Sequence, residues 1–252
     1  MRYSSFSQIF SDIPKVLKNH RAWVLFFLLF SPPGEAWGNP VETRVRAVDS
    51  FAALKNPEKE GVPAGWKLEG NPGPHSRILL RVEEGGFLAL MSVSDSYGLK
   101  REMAFDLGES PHLSWQWRVT RHPEGGDIRQ KARDDQAGQI YVIFGGFPLL
   151  LNYRALGYIW DPAAPLGFSG TSRTYSRMKY QVIRNGTGGL SQWMEESRNV
   201  KRDFRELFQE EPPPAAGVML FINTNFTGSA AECHYRNIFF CNHPKGFVHP
   251  GK

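Results

Sequence analysis

From residue 41 onward, apolar and polar positions follow one another at a period of two, in short runs separated by clusters of Gly, Pro, Asn and Asp. Such alternation marks half-buried strands, because successive side chains on a strand point to opposite faces. VETRVRAV (41–48), RILLRV (77–82), GFLALMSV (86–93), LKREMAFDL (99–107) and HLSWQWRV (112–119) carry the pattern. GQIYVIF (138–144), YRALGYIW (153–160), YSRMKYQVIR (175–184), AGVMLFINT (216–224) and ECHYRNIFF (232–240) carry it too. EEGG, NPGP, HPEGG, DPAAPLG and NGTGG supply turns, with Gly providing positive φ and Pro presetting its own. Many short strands with regular turn signals predict an all-β chain, an antiparallel β-sandwich of jelly-roll or galactose-binding-like form.

One segment departs from the period of two. In LSQWMEESRNVKRDFRELFQEE, Trp193, Val200, Phe204 and Leu207 recur at helical offsets, which predicts one amphipathic helix near 191–210. Ser191 is the expected N-cap, and the prolines at 212–214 stop the helix. Its other face carries Arg198, Lys201, Arg202 and Arg205 among acids, the pattern of a solvated, self-paired surface.

The N-terminus belongs to a different class of segment. Lys15, Lys18 and Arg21 precede the apolar run AWVLFFLLF, which SPPGEAWG ends with helix breakers and small residues at Ala36 and Gly38. The run is too short to span a bilayer comfortably, which takes about 20 residues. It predicts an export signal over 1–38, cleaved near Gly38, and a single domain over 39–252 in the periplasm or outside the cell. An uncleaved N-terminal anchor in the inner membrane is the alternative. Removing 1–38 takes away Arg2, Lys15, Lys18 and Arg21 against Asp12 and Glu35, and lowers the net charge from +5 to +3. Without a basic stripe elsewhere, nucleic-acid binding is not expected.

Cys233 and Cys241 lie eight apart on one predicted strand, ~26 Å at ~3.3 Å per residue. A disulfide needs Cα atoms within about 7 Å, so both are expected as free thiols unless the chain turns back. Their spacing with His234 and His243 matches no standard zinc pattern.

The candidate chemistry is polar rather than nucleophilic. In HLSWQWRV, Trp115 and Trp117 share a face with Leu113 and Val119 and are expected in the core. The opposite face presents Gln116 and Arg118, and an arginine in mid-strand is useful in a polar groove and costly when buried alone. Tyr141 and Arg236 stand on comparable polar faces of their strands. The stretch RDDQAGQIYVIFGG sets Asp134 and Asp135 at the mouth of an apolar strand, and FINTNFTGSAAE forms a loop rich in side-chain oxygens. Asp134, Asp135, Asn223 and Asn225 together suggest a weak calcium site, although Asx residues also build turns. No other cofactor is indicated, and G-x-S-x-G, H-E-x-x-H and P-loop motifs are absent from the sequence.

Four blocks in order, WQWRV, DDQAGQIYVIF, W-x(4)-RNV-x(2)-DF-x(2)-LF and NTNFTG, resemble a bacterial family of exported proteins known as domain of unknown function 3047. The resemblance covers nearly all of the chain after residue 38. It implies a periplasmic β-sandwich and brings no established activity. That family usually carries aspartates at the positions of Asn223 and Asn225 and an arginine near Gln139. These departures weaken a calcium-dependent or charge-dependent activity here.

Three functions follow as expectations. The first is a non-catalytic module binding a carbohydrate or envelope glycan through Gln116, Arg118, Asp134, Asp135, Tyr141, Asn225 and Arg236. The second is a glycan hydrolase or lyase using the carboxylates of Asp134 and Asp135. The third is an envelope protein docking a protein partner through the 191–210 helix.

Overall fold

The computed structural model describes residues 43–52, 58–145 and 153–244. The expected export signal lies outside the described residues. Among the described residues no helix is long and apolar enough to cross a membrane.

The strands are β1 (Val45–Asp49), β2 (Glu58–Glu60), β3 (Lys67–Gly70), β4 (Arg77–Arg81), β5 (Phe87–Val93), β6 (Ser96–Phe105) and β7 (His112–Arg121). They continue as β8 (Gly138–Phe144), β9 (Arg154–Asp161), β10 (Ser169–Thr171), β11 (Met178–Asn185) and β12 (Met194–Asn199). Helix α1 (Val200–Phe208) precedes β13 (Ala215–Asn223) and β14 (Ala230–Cys241). Sheet 1 is ordered β12-β7-β14-β5-β4-β2, with β1 added beside β14. Sheet 2 is ordered β10-β11-β9-β8-β13-β6-β3. All pairings are antiparallel except β9 with β11.

The sandwich forms because each sheet offers one apolar face. Trp115, Trp117, Val119, Cys233 and Tyr235 of sheet 1 meet Ile140, Val142, Tyr158, Trp160, Leu220 and Ile222 of sheet 2 in one core. Trp115 packs against Trp117 edge-on and stacks on Tyr158, with centroids 5.4 and 5.5 Å apart. The Tyr235 hydroxyl crosses between sheets, donating to the Gln139 carbonyl (3.0 Å) and accepting from the Gln139 N–H (2.9 Å). The expectation of core tryptophans and of two free, buried thiols is met.

The helix is shorter than its sequence pattern. Residues 194–199 pair in full register with β7, from Met194 opposite Trp117 to Asn199 opposite His112. The N-cap is Asn199, whose side chain accepts the Arg202 N–H (2.9 Å), and not Ser191. The heptad offset from Trp193 to Val200 therefore spans two elements. The apolar side of α1 is spent on the sandwich: Val200 and Phe204 are fully buried, and Phe204 packs on Phe144. Its buried Asp203 accepts hydrogen bonds from Tyr158, Arg198 and Arg202. What α1 leaves outside is charged and self-paired, as in Arg202 with Glu206. The helix expected over 191–210 is corrected in extent to Val200–Phe208.

Sheet 2 is covered on its outer side as well. Ile128, Ala164 and Phe168, from segments outside the strands, pack with Tyr141, Ile143, Ala155, Ile159, Tyr180 and Val182 in a second apolar cluster. That cover is partial. Beside it a groove remains.

Candidate functional site

The groove runs across the strands of sheet 2 and encloses about 630 Å³, within the usual range of ligand sites. Tyr141 and Gln139 of β8, Phe221 of β13 and Tyr180 of β11 stand on its floor. Glycines opposite these rings shape the platform. In the β8–β9 register Tyr141 faces Gly157, and a Cβ on Gly157 would lie 2.3 Å from the Tyr141 ring. Phe221 faces Gly98, where a Cβ would lie 2.8 Å from its ring, and Tyr180 faces Gly170 in the same way. With no side chain opposite, each ring leans over onto its neighbour's backbone instead of standing upright. The face is thereby low and aromatic.

Beneath the platform runs a continuous chain of hydrogen bonds. The Tyr141 hydroxyl donates to Gln139 Oε1 (2.8 Å), and Gln139 Nε2 donates to Asn223 Oδ1 (2.6 Å). Asn223 Nδ2 donates to Asp135 Oδ1 (3.1 Å) and to the Asp134 carbonyl. The Asp135 carboxylate also accepts the N–H groups of Phe226 (3.3 Å) and Thr227 (2.6 Å). Asp135 is thus a brace, fully buried, that ties the start of β8 to the turn after β13 and fixes Phe226 at the rim.

Asp134 is placed differently. It lines the groove, accepts one side-chain hydrogen bond from Gln136 Nε2 (3.2 Å), and is only partly buried. Burial pushes its carboxyl above the ordinary carboxylate range, against the opposing pull of Gln136 and Arg173. At the far end Lys100 bridges Glu69 (2.9 Å) and Glu102 (3.3 Å). Among the described residues, Tyr175 and Phe226 are the aromatic side chains found among the exposed large hydrophobics, at 53% and 45%, and both line the groove.

The seven residues expected to bind ligand do not form one site. Asp134, Tyr141 and Asn225 line the groove, and Asp135 braces it from behind. Gln116, Arg118 and Arg236 lie on the outer face of sheet 1, across the sandwich. There Arg118 Nε donates to His234 Nδ1 (3.1 Å), and its Nη1 donates to Glu84 (3.0 Å). Arg236 donates to Gln116 Oε1 (2.7 Å) and to the Glu84 carbonyl (2.9 Å). The two guanidinium carbons lie 4.5 and 4.0 Å from the Trp193 ring centroid. These arginines are held by partners within their own sheet face. The alternation that put them on polar faces was read correctly, but it does not say which sheet a strand joins.

The acid pair separates in the same manner. Asp134 and Asp135 face the loop at 223–228 and not Arg118, and only Asp134 reaches the groove. Asp134 with Asp135 is therefore no general acid and base flanking one bond. Of the four suggested calcium ligands, Asp135 and Asn223 direct their oxygens at protein donors. Among the described residues no group of three or more His, Cys, Asp or Glu side chains gathers at metal-binding distance. Sequence reasoning left Gln139, Tyr175, Tyr180, Phe221 and Phe226 out of the candidate site. Their signal was the Gly opposite each floor ring, which becomes visible only once strand register is known.

A family model described as "Protein of unknown function (DUF3047)" matches residues 65–239. The chain belongs to that family. Every residue lining the groove falls inside the DUF3047 match. No curated protein matches the chain. Among solved structures, the xyloglucanase domain of NopAA, a type three effector from Sinorhizobium fredii in complex with cellobiose, is similar at TM-score 0.41 and 8% identity, over 79% of this chain and 98% of that one. A mutant of a family 29 carbohydrate-binding module is similar at TM-score 0.39 and 9% identity, over 84% and 100%. The family 11 carbohydrate-binding module of the cellulase Lic26A-Cel5E of Clostridium thermocellum is similar at 0.39 and 8%, over 80% and 95%. Likeness at these scores carries no weight for the ligand of this DUF3047 chain, so its functional reading rests on the groove.

Proposed function

We propose that this protein is an exported glycan-binding module that holds a carbohydrate chain in the groove of sheet 2. The observation that carries the reading is the pairing of Tyr175 and Phe226, exposed aromatic rings, with a polar-edged aromatic floor between them. Flat rings bind the apolar faces of pyranose rings, and the side-chain oxygens of Asp134 and Asn225 accept hydroxyl protons. The groove crosses six strands from β11 to β3, so at ~4.8 Å per strand spacing it is ~24 Å long, room for an oligosaccharide rather than a single sugar. The export signal expected over 1–38 would deliver such a module to the envelope, where glycan chains are abundant.

The test is calorimetric titration of the protein with a panel of oligosaccharides, repeated on Tyr175→Ala and Phe226→Ala. Both side chains are exposed enough for the fold to survive their loss. Each variant is expected to weaken binding roughly five- to tenfold, about 1 kcal/mol or slightly more. Absence of binding to every glycan in the panel would overturn the reading. Equal affinity in wild type and both variants would place the ligand elsewhere.

A further inference from the structure

The charges around the groove narrow the class of glycan, an inference that rests on the binding reading above. Among the described residues, Lys100 is the cation lining the groove, and it is engaged by the carboxylates of Glu69 and Glu102. Glu102 in turn also takes Lys67 at 2.6 Å, so this end of the groove is a closed set of two cations and two anions. The remaining lining charge is the Asp134 carboxylate, which faces no paired cation across the groove. A further cation whose field reaches it is Arg173, whose Nη2 donates to the Arg129 carbonyl (2.5 Å). Arg118 and Arg236, whose planar guanidinium groups would suit a carboxylate, stand on the opposite outer face with Glu84 between them.

We infer that the groove selects a neutral polysaccharide chain, one bearing only hydroxyls, and rejects uronate- and sulfate-bearing chains. A ligand hydroxyl donates to Asp134 at no electrostatic cost. A ligand carboxylate in the same place meets a like charge in a partly desolvated site, and among the described residues it finds no lining cation without a carboxylate partner already. The discrimination is built by repulsion, through an unpaired acid in a groove whose attraction is aromatic and therefore tolerant of sugar type. Asp134 lies partly buried beside the floor, so a passing chain cannot avoid its field through the solvent.

The experiment is affinity electrophoresis of the protein through gels cast with a neutral β-glucan, a galactomannan, polygalacturonate or a sulfated galactan. Wild type and Asp134→Asn run side by side, with Tyr175→Ala marking binding that belongs to the groove. Retardation by a neutral chain at least about tenfold stronger than by either acidic chain is expected. Asp134→Asn is expected to narrow that ratio about fivefold or more, because the amide still accepts a hydrogen bond but carries no charge. Retardation by polygalacturonate equal to or above that by neutral chains, and lost in Tyr175→Ala, would overturn the selectivity while leaving the groove as a glycan site. Retardation by none of the four would overturn both.

Discussion

Gly157→Ala tests the construction of the platform at its tightest contact. An alanine Cβ at 157 would lie 2.3, 2.7 and 3.1 Å from Tyr141 Cε1, Cδ1 and Cζ, where ordinary contact begins at 3.4 Å. The ring must retreat by roughly 1.1 Å at its nearest atom, the difference between 3.4 and 2.3 Å. It has little freedom to do so, since Tyr141 is 5% exposed and its hydroxyl is tied to Gln139. Overpacking of this kind costs about 1–3 kcal/mol. Loss of the hydroxyl bond adds about 0.5–1.5 kcal/mol. Against this, alanine in a strand is favoured over glycine by about 0.5–1 kcal/mol. The net expectation is a destabilisation of about 0.5–4 kcal/mol, measured as a lower midpoint in urea at unchanged m-value. Tyr141→Ala removes the obstacle, so in that background Gly157→Ala should be neutral or slightly stabilising. The double-mutant cycle thus isolates a coupling of about 1.5–4.5 kcal/mol between the two positions. Equal cost of Gly157→Ala in both backgrounds would refute the claim that the ring occupies the space above Gly157.

Three further outcomes follow from the same network. Asp135→Ala strips Asn223, Phe226 and Thr227 of their acceptor and should cost about 2–3 kcal/mol in thermal or urea unfolding, with glycan affinity falling further than in Asp134→Asn. Asp134→Asn should be at least as stable as wild type at neutral pH. Its carboxyl is raised in the folded state, so at this position the native chain binds more protons than the unfolded one, and wild-type stability relative to the variant rises as pH falls toward the ordinary carboxylate value of about 4. A stability difference between the two that stays flat across that window would contradict the assignment. Asn199→Ala removes the acceptor of the Arg202 N–H and should cost about 1 kcal/mol, while Ser191→Ala, no longer a cap, should change stability by less than about 0.5 kcal/mol.

The fold was legible because alternation survives in strands with one covered face. HLSWQWRV and AGVMLFINT showed their core sides directly, and β7 and β13 bear them out within a few residues. β2, β3, β10 and β12 were missed for physical reasons. Each of the first three has three or four residues, too few to show a period, and β12 (MEESRN) is held by pairing with β7 and by bonds from Trp117 and Arg184 to Glu196. The site was less legible. Side-chain alternation locates a face, but strand order decides which faces are shared, and β8 and β7 belong to different sheets although they follow one another in sequence.

The run RDDQAGQIYVIFGG shows how local pattern and tertiary position combine. Every residue of β8 is buried, including the Gln139, Tyr141 and Ile143 set that alternation assigns to an outer face. A strand buried on both faces needs a second cover, and here segments bearing Ile128, Ala164 and Phe168 provide it over part of the sheet. The groove is the part that this cover leaves open. Two adjacent carboxylates at the strand's mouth then meet opposite needs, because successive residues point in different directions. Asp135 turns inward and spends its oxygens on the N–H groups of the turn that carries Phe226, so it shapes the rim. Asp134 turns to the groove and keeps acceptor capacity for a ligand, at the desolvation cost that its raised proton affinity records. The desolvation of a double acid beside an apolar strand is therefore divided, one carboxylate compensated by backbone donors and the other turned to the groove with a single side-chain donor.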